Sequence, residues 1–166
     1  MKKFIPSLVL LLVITACGNA QRTNFKEEAL KITLKTENNT DIAFQDVLNR
    51  AKGKVTVIEC WASWCSDCVK AMPDLKKMQA AHPDVNFVFI SFDKSLEKWL
   101  DGIARHELKG SQYWSPDGMK GIFGQALDID WIPRYIIIDK NGKIITYRAI
   151  EKDFEAMNNT LTKLKS

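Results

Sequence analysis

The chain has 166 residues, 46% of them apolar and 27% charged, with four cysteines. That is enough material for one domain with its own hydrophobic core, which excludes a miniprotein held together by disulfides. Twenty-four basic against 20 acidic residues leave a net charge of +4, and there is no basic block or basic-aromatic interleaving, which argues against a nucleic-acid partner.

Lys2 and Lys3 precede a mostly apolar run from Phe4 to Ile14. The run is shorter than the roughly 18 residues of a membrane-spanning helix and has the layout of a secretory signal. Its end, Ile14-Thr15-Ala16-Cys17, resembles the bacterial lipobox, in which a peptidase cuts before a cysteine that carries lipid. On that reading residues 1–16 are the signal, Cys17 is the lipidated mature N-terminus, and the mature charge falls to 22 basic against 20 acidic residues. An ordinary signal peptide is the alternative, and an odd thiol in an exported protein weighs against it. Residues 17–28 read as a disordered tether ahead of a folded domain at 29–166. Gly18, where an aspartate often retains lipoproteins at the inner membrane, tilts the expected anchor toward the outer one.

Leu30, Ile32 and Leu34 alternate with polar residues, the pattern of a half-buried strand, and Asn38-Asn39-Thr40-Asp41 makes a turn. Phe44, Val47, Leu48 and Ala51 recur at helical spacing ahead of Gly53. Val55 to Cys60 is a β-branched run, as in a central parallel strand buried on both faces. A helix over about 66–81 follows, with Val69, Met72, Leu75 and Met78 on its turns and a kink expected at Pro73. Asn86 to Phe92 reads as a second buried strand, and Asp93 or Ser95 caps a helix carrying Leu96, Trp99, Leu100 and Ile103. Residues 107–119 read as irregular, and Ile122 to Leu127 as a short helix. Arg134–Ile138 and Ile144–Ile150 read as strands joined by the hairpin signal Asp139-Lys140-Asn141-Gly142. Phe154, Met157, Leu161 and Leu164 stripe a closing helix. This alternation predicts an α/β domain with parallel strands.

The chemistry concentrates in Trp64-Cys65-Ser66-Asp67-Cys68. A strand ending before Cys65 and a helix starting there place its sulfur at a helix N-terminus, where unpaired N–H groups and the helix dipole favour negative charge. The thiolate is the reactive form of cysteine. Cys68 lies one turn on, so one chain holds both an attacking and a resolving thiol. Zinc sites use the same spacing but need two further ligands, and Cys60, His82 and His106 are scattered without paired spacing. No metal or cofactor is expected, and an inert surface disulfide is the remaining alternative. Cys60 falls inside the buried strand and reads as a small core residue.

The run Val57-Ile58-Glu59-Cys60-Trp61-Ala62-Ser63-Trp64-Cys65-Ser66-Asp67-Cys68 resembles the active-site segment of thioredoxin-fold proteins. Pro73 and Trp131-Ile132-Pro133 fall where that fold has a helix kink and a cis-proline loop. With its leader and a helical insertion around Ser95–Arg105, the chain is similar to the TlpA/ResA-like branch of membrane-tethered thiol-disulfide oxidoreductases, over about residues 29–166. The resemblance implies a thioredoxin-like α/β fold, with a central mixed sheet flanked by helices and a helical insertion before the cis-proline loop. It implies Cys65 as nucleophile, Cys68 as resolving thiol and Glu59 as a buried acid that handles the proton of Cys68. Trp64 and Trp131 become an apolar rim, Ile132 presents backbone to substrate, and the bond to Pro133 is cis. Asp67 departs from a proline common there, and Ala71 from a common glutamate.

The leading expectation is a lipid-anchored, monomeric reductant of disulfides in exported proteins, with apocytochrome c thiols among its candidate substrates. Asp67 beside Cys65 opposes the thiolate and so implies a reducing couple. An oxidising, periplasm-facing location requires a membrane thiol electron donor to recharge the dithiol. A disulfide-donating oxidase is one alternative, and a non-catalytic binding module or metallochaperone is another. Arg134 either meets an acidic partner or faces water.

Overall fold

The computed structural model describes residues 22–165. The signal and Cys17 lie outside the described residues. In chain order the elements are α1 (Glu27–Leu30), β1 (Thr33–Lys35), β2 (Asp41–Ala43), α2 (Phe44–Ala51), β3 (Thr56–Trp61), α3 (Ser66–Ala81), β4 (Asn86–Ser91), α4 (Leu96–His106), β5 (Ser111–Trp114), α5 (Ile122–Ala126), β6 (Arg134–Ile138), β7 (Ile144–Ala149) and, after one 3-10 turn, α6 (Phe154–Lys165).

The strands form one seven-stranded sheet in the order β2-β1-β5-β4-β3-β6-β7. β3, β4 and β5 run parallel, whereas β6 is antiparallel to β3. Every residue of β3 and β6 is buried, which is why these strands read as continuous apolar runs rather than alternating ones. The crossovers β3-α3-β4 and β4-α4-β5 step the same way along the sheet, so right-handed connections put α3 and α4 on one face. α6 packs against α3 on that face. α2 and α5 cover the other, with Phe44 edge-on to Phe123 at 5.0 Å.

One edge of this sheet collects four loops. β3, β4 and β5 deliver their C-terminal ends there, and β6, running the other way, starts there, with Cys60 paired to Arg134. Catalytic groups of open α/β sheets gather at that edge, and the sequence has placed both its dithiol and its Trp131-Ile132-Pro133 segment on it.

Several expectations need correction. The segment expected to be a disordered tether is packed on the domain from Arg22 onward. Ile144 N–H donates to the Thr23 carbonyl at 2.8 Å, Arg22 donates to the Tyr147 hydroxyl at 2.6 Å, and Phe25 stands edge-on to Phe44 at 5.1 Å. One aromatic and one pairing with the edge strand β7 leave no periodic trace in a polar stretch. Leu30 ends α1 rather than opening a strand, because Glu27 and Glu28 start a helical turn that favours acids. β2 replaces the end of the expected turn, and β5 lies inside the segment expected to be irregular. Both are short, and β5 is defined by its partner β4 rather than by its own pattern. The expected helix over 66–81 is found as α3, with Pro73 inside it.

Candidate active site

Cys65 is the N-cap of α3, with an extended backbone, and its sulfur accepts the Cys68 N–H at 3.1 Å. Its Sγ is bonded to that of Cys68, the Cα atoms lying 5.3 Å apart. The two sulfurs are not equivalent. Cys68 is wholly buried, while Cys65 keeps 6% of its surface and lines a cleft of about 230 Å³ with Trp64, Ser66, Asp67, Met119, Trp131 and Ile132. A partner therefore reaches Cys65 first. Trp64 and Trp131 are 53% and 55% exposed, so the mouth is apolar. Such exposed aromatics mark contact sites.

The turn ahead of Cys65 is tied down from β4. Ser63 N–H and hydroxyl donate to the Asp93 carboxylate at 3.0 and 2.7 Å, and Cys65 N–H closes the turn on the Ala62 carbonyl at 3.1 Å. Ser95, not Asp93, caps α4, accepting Lys98 N–H at 3.3 Å.

The opposite wall is the segment before β6. The Ile132–Pro133 bond is cis, and the Ile132 carbonyl lies 3.4 Å from Cys65 Sγ. Arginines hold this segment. Arg134 donates to Asp130 at 2.6 Å and to the Arg148 carbonyl at 3.0 Å. Arg148 donates to Asp130 and Asp128, each at 2.5 Å. These bonds, that of Arg134 first, hold the Asp130 carboxyl down at about 2. Arg134 thus neither faces water nor waits for an acidic partner: it is 9% exposed and bonded within the loop. Tyr147 braces the same loop through the Leu127 carbonyl.

Beneath the dithiol, Glu59 and Tyr135 are register partners on β3 and β6 and share the sheet face covered by α3 and α6, since the Tyr135 ring lies 5.4 Å from that of Phe154. Glu59 is 2% exposed. Its one partner is the Tyr135 hydroxyl at 3.3 Å, and Oε2 has none among the described residues. Burial pushes its carboxyl up to about 8, with the Tyr135 hydrogen bond pulling weakly the other way. A carboxyl that changes charge near neutral pH suits proton transfer. On the other face of β3, Cys60 is buried, and desolvation, then the Glu59 charge, push its thiol up to about 12. That keeps it in the unreactive thiol form.

The architecture and the paired sulfurs are those of a thioredoxin-fold thiol-disulfide oxidoreductase. A family model described as thioredoxin-like matches residues 53–144, and the chain belongs to that family. It is 23% identical over 161 residues to the thiol:disulfide interchange protein TxlA homolog of Synechocystis, covering 96% of this chain and 76% of that one. It is 31% identical over 108 residues to the thioredoxin-like protein YneN of Bacillus subtilis, covering 57% of this chain and 61% of that one. Among solved structures, the thioredoxin domain of a thiol-disulfide oxidoreductase from Bacteroides vulgatus superposes with a TM-score of 0.65 at 26% identity, covering 80% of this chain and 91% of that one.

The structure thus brings Cys65, Trp64, Trp131 and Ile132 to one cleft, with Cys68 buried behind Cys65 and cis-Pro133 following Ile132, and sets Glu59 on the sheet face below. Sequence reasoning missed Met119 in the cleft wall and the roles of Asp93, Asp130, Tyr135 and Arg148. Asp93 carried a usable signal, its position just past the end of a predicted strand. Arg148 carried none, because it reaches the loop from 18 residues downstream of Asp130.

Proposed function

We propose that the protein is a lipid-anchored reductant of disulfides in exported proteins, with apocytochrome c cysteines among the substrates to be tested. Lipid on Cys17 holds it at the envelope, on the outer membrane facing the periplasm, and a membrane thiol donor recharges it; the domain acts as a monomer. The Cys65 thiolate attacks a substrate disulfide, that S–S bond breaks, and one substrate sulfur leaves as a thiol, leaving a Cys65–substrate mixed disulfide. Glu59 takes the proton of Cys68, and the Cys68 thiolate attacks Cys65 Sγ, releasing the second substrate thiol. Two electrons have passed to the substrate, and the enzyme is left with the Cys65–Cys68 bond. Ile132 offers its backbone to the bound segment beside cis-Pro133, and Trp64 and Trp131 form the apolar rim.

The observation that carries the direction is the charge beside the dithiol. Asp67, inside the motif, is an acid that lines the same cleft as Cys65, and a thiolate that gains little stabilisation belongs to a reducing couple. One observation favours the reverse direction, disulfide donation: the single N–H that Cys65 Sγ accepts at the start of α3. The reduction potential decides between them. A value near about −270 mV supports the reductant, and one near about −120 mV makes the protein an oxidant. Failure to cycle at all leaves a binding role. Independently, Cys68→Ser is expected to accumulate the mixed disulfide with substrate; no covalent complex under turnover conditions would remove Cys65 from the nucleophile role.

A further inference from the structure

The end of β4 holds a buried acid that the exchange steps above do not use. Asp93 has no exposed surface, and three donors converge on its carboxylate: Ser63 N–H at 3.0 Å, the Ser63 hydroxyl at 2.7 Å and the Ser91 hydroxyl at 2.8 Å. An ionised carboxylate is an acceptor only, which fits three converging donors. Among the described residues no cation forms an ion pair with it. The nearby charged side chains of the sequence, Lys94, and Lys98, Asp101 and Arg105 of α4, are exposed. On α3, Asp67 pairs with Lys70 at 3.5 Å, and Glu59 lies on β3.

Asp93 also joins the inserted α4–β5 unit to the dithiol loop. Trp114 of β5 donates its indole N–H to the Asp93 carbonyl at 2.8 Å and stacks on Trp99 of α4. α4 approaches so closely that a Cβ on Gly102 would lie 2.7 Å from Ser63 Cβ. Ser63 is two residues ahead of Cys65. The insertion therefore backs the turn, and Asp93 is the polar link between them.

We propose that Asp93 is a positioning residue for the attacking sulfur: it anchors the 62–65 turn through Ser63 and places behind it a buried negative charge that opposes the Cys65 thiolate, which favours the disulfide form of the protein and makes it a stronger reductant. This rests on Cys65 being the nucleophile, but it predicts a difference between variants and so holds for either absolute potential.

The test is equilibration of the protein with glutathione, in which two glutathione thiols become one glutathione disulfide for each Cys65–Cys68 bond reduced, together with pH titration of the Cys65 thiolate by its ultraviolet absorbance. Asp93→Asn keeps the geometry, since its carbonyl oxygen accepts from Ser63 N–H and the Ser91 hydroxyl while its N–H₂ donates to the Ser63 hydroxyl. The equilibrium is expected to move about tenfold toward the reduced protein, which is about 30 mV, with the Cys65 midpoint falling by about one pH unit. A folded Asp93→Asn with both values unchanged overturns the proposal. Asp93→Ser carries the same expected sign should the first variant not fold, and failure of both to fold overturns it by making Asp93 a residue of the fold alone. A wild-type protein that does not equilibrate with glutathione overturns the exchange reading itself, and Asp93 with it.

Discussion

The loop that leads into Cys65 and the loop that carries Ile132 and Pro133 end against the same sulfur, but the first is held from below by a buried carboxylate and the second from outside by ion pairs. Asp93 is fully buried and gathers neutral donors. Asp128 and Asp130, at 61% and 60% side-chain exposure, gather arginines. Hydrogen bonds to a buried charge are strong and escape screening by salt, whereas exposed ion pairs are each worth at most about 1 kcal/mol and weaken as salt rises. The dithiol turn is therefore held by contacts that salt does not reach, and the cis-proline loop in part by contacts that it does.

The largest expected effect lies between the two walls, at Glu59. Its folded carboxyl sits near about 8 against 4.5 for an ordinary glutamate. A raised folded value means that the folded state holds the proton more tightly. The associated stability is complete below the unfolded value and is lost as pH rises through the folded one. Glu59→Gln is expected to abolish that loss, so urea-unfolding free energies of variant and wild type should diverge by about 1.4 kcal/mol per pH unit between the two values. It should also slow resolution of the mixed disulfide. Parallel stability curves and an unaltered exchange rate across pH would remove Glu59 from the proton-transfer role. Tyr135→Phe should move the midpoint further up, since the Tyr135 hydrogen bond lowers it.

Next comes Asp93→Ala, which strips the buried acceptor from three donors and should cost about 3 kcal/mol, with the same loss in low and high salt. A loss that shrinks with salt would break the contrast between the walls. The smallest effect is at the outer wall. Arg148→Ala should cost no more than about 1 kcal/mol but raise the apparent KM for a protein disulfide, an increase that fades as salt rises. Acid should shrink the stability difference between the two proteins. Asp130 is held down at about 2, so its contribution is present above the unfolded carboxylate value of 3.8 and disappears as pH falls through 2, where the unfolding free energies of wild type and Arg148→Ala should converge. A KM change insensitive to salt, with a stability difference that persists in acid, would assign Arg148 to packing.

Much of the site was legible before any coordinates. Cys65 and Cys68 announced themselves by a two-residue spacing at a strand-to-helix junction, and Trp131-Ile132-Pro133 by its resemblance to the cis-proline loop of thioredoxin-fold proteins. Arg134 was misread for a physical reason. A lone arginine at a strand end looks solvated, and its burial depends on Asp130 and on the carbonyl of Arg148, which the hairpin returns to it. The 22–28 segment was misread because its anchors, Thr23 on Ile144 and Phe25 on Phe44, are single contacts across large sequence separations.

By itself the sequence determined what depends on neighbours along the chain: which segments are buried strands or amphipathic helices, where the hairpin turns, and that two thiols stand one helical turn apart at a helix start. Only the tertiary structure decided what depends on neighbours across the sheet. Parallel and antiparallel pairing brought the ends of β3, β4 and β5 and the start of β6 to one edge, and so set Ile132 against Cys65, Asp93 under Ser63, Tyr135 on Glu59 and Arg148 on Asp130. Local pattern reports the periodicity of burial, whereas the charge a buried group keeps is set by partners that only chain crossings supply.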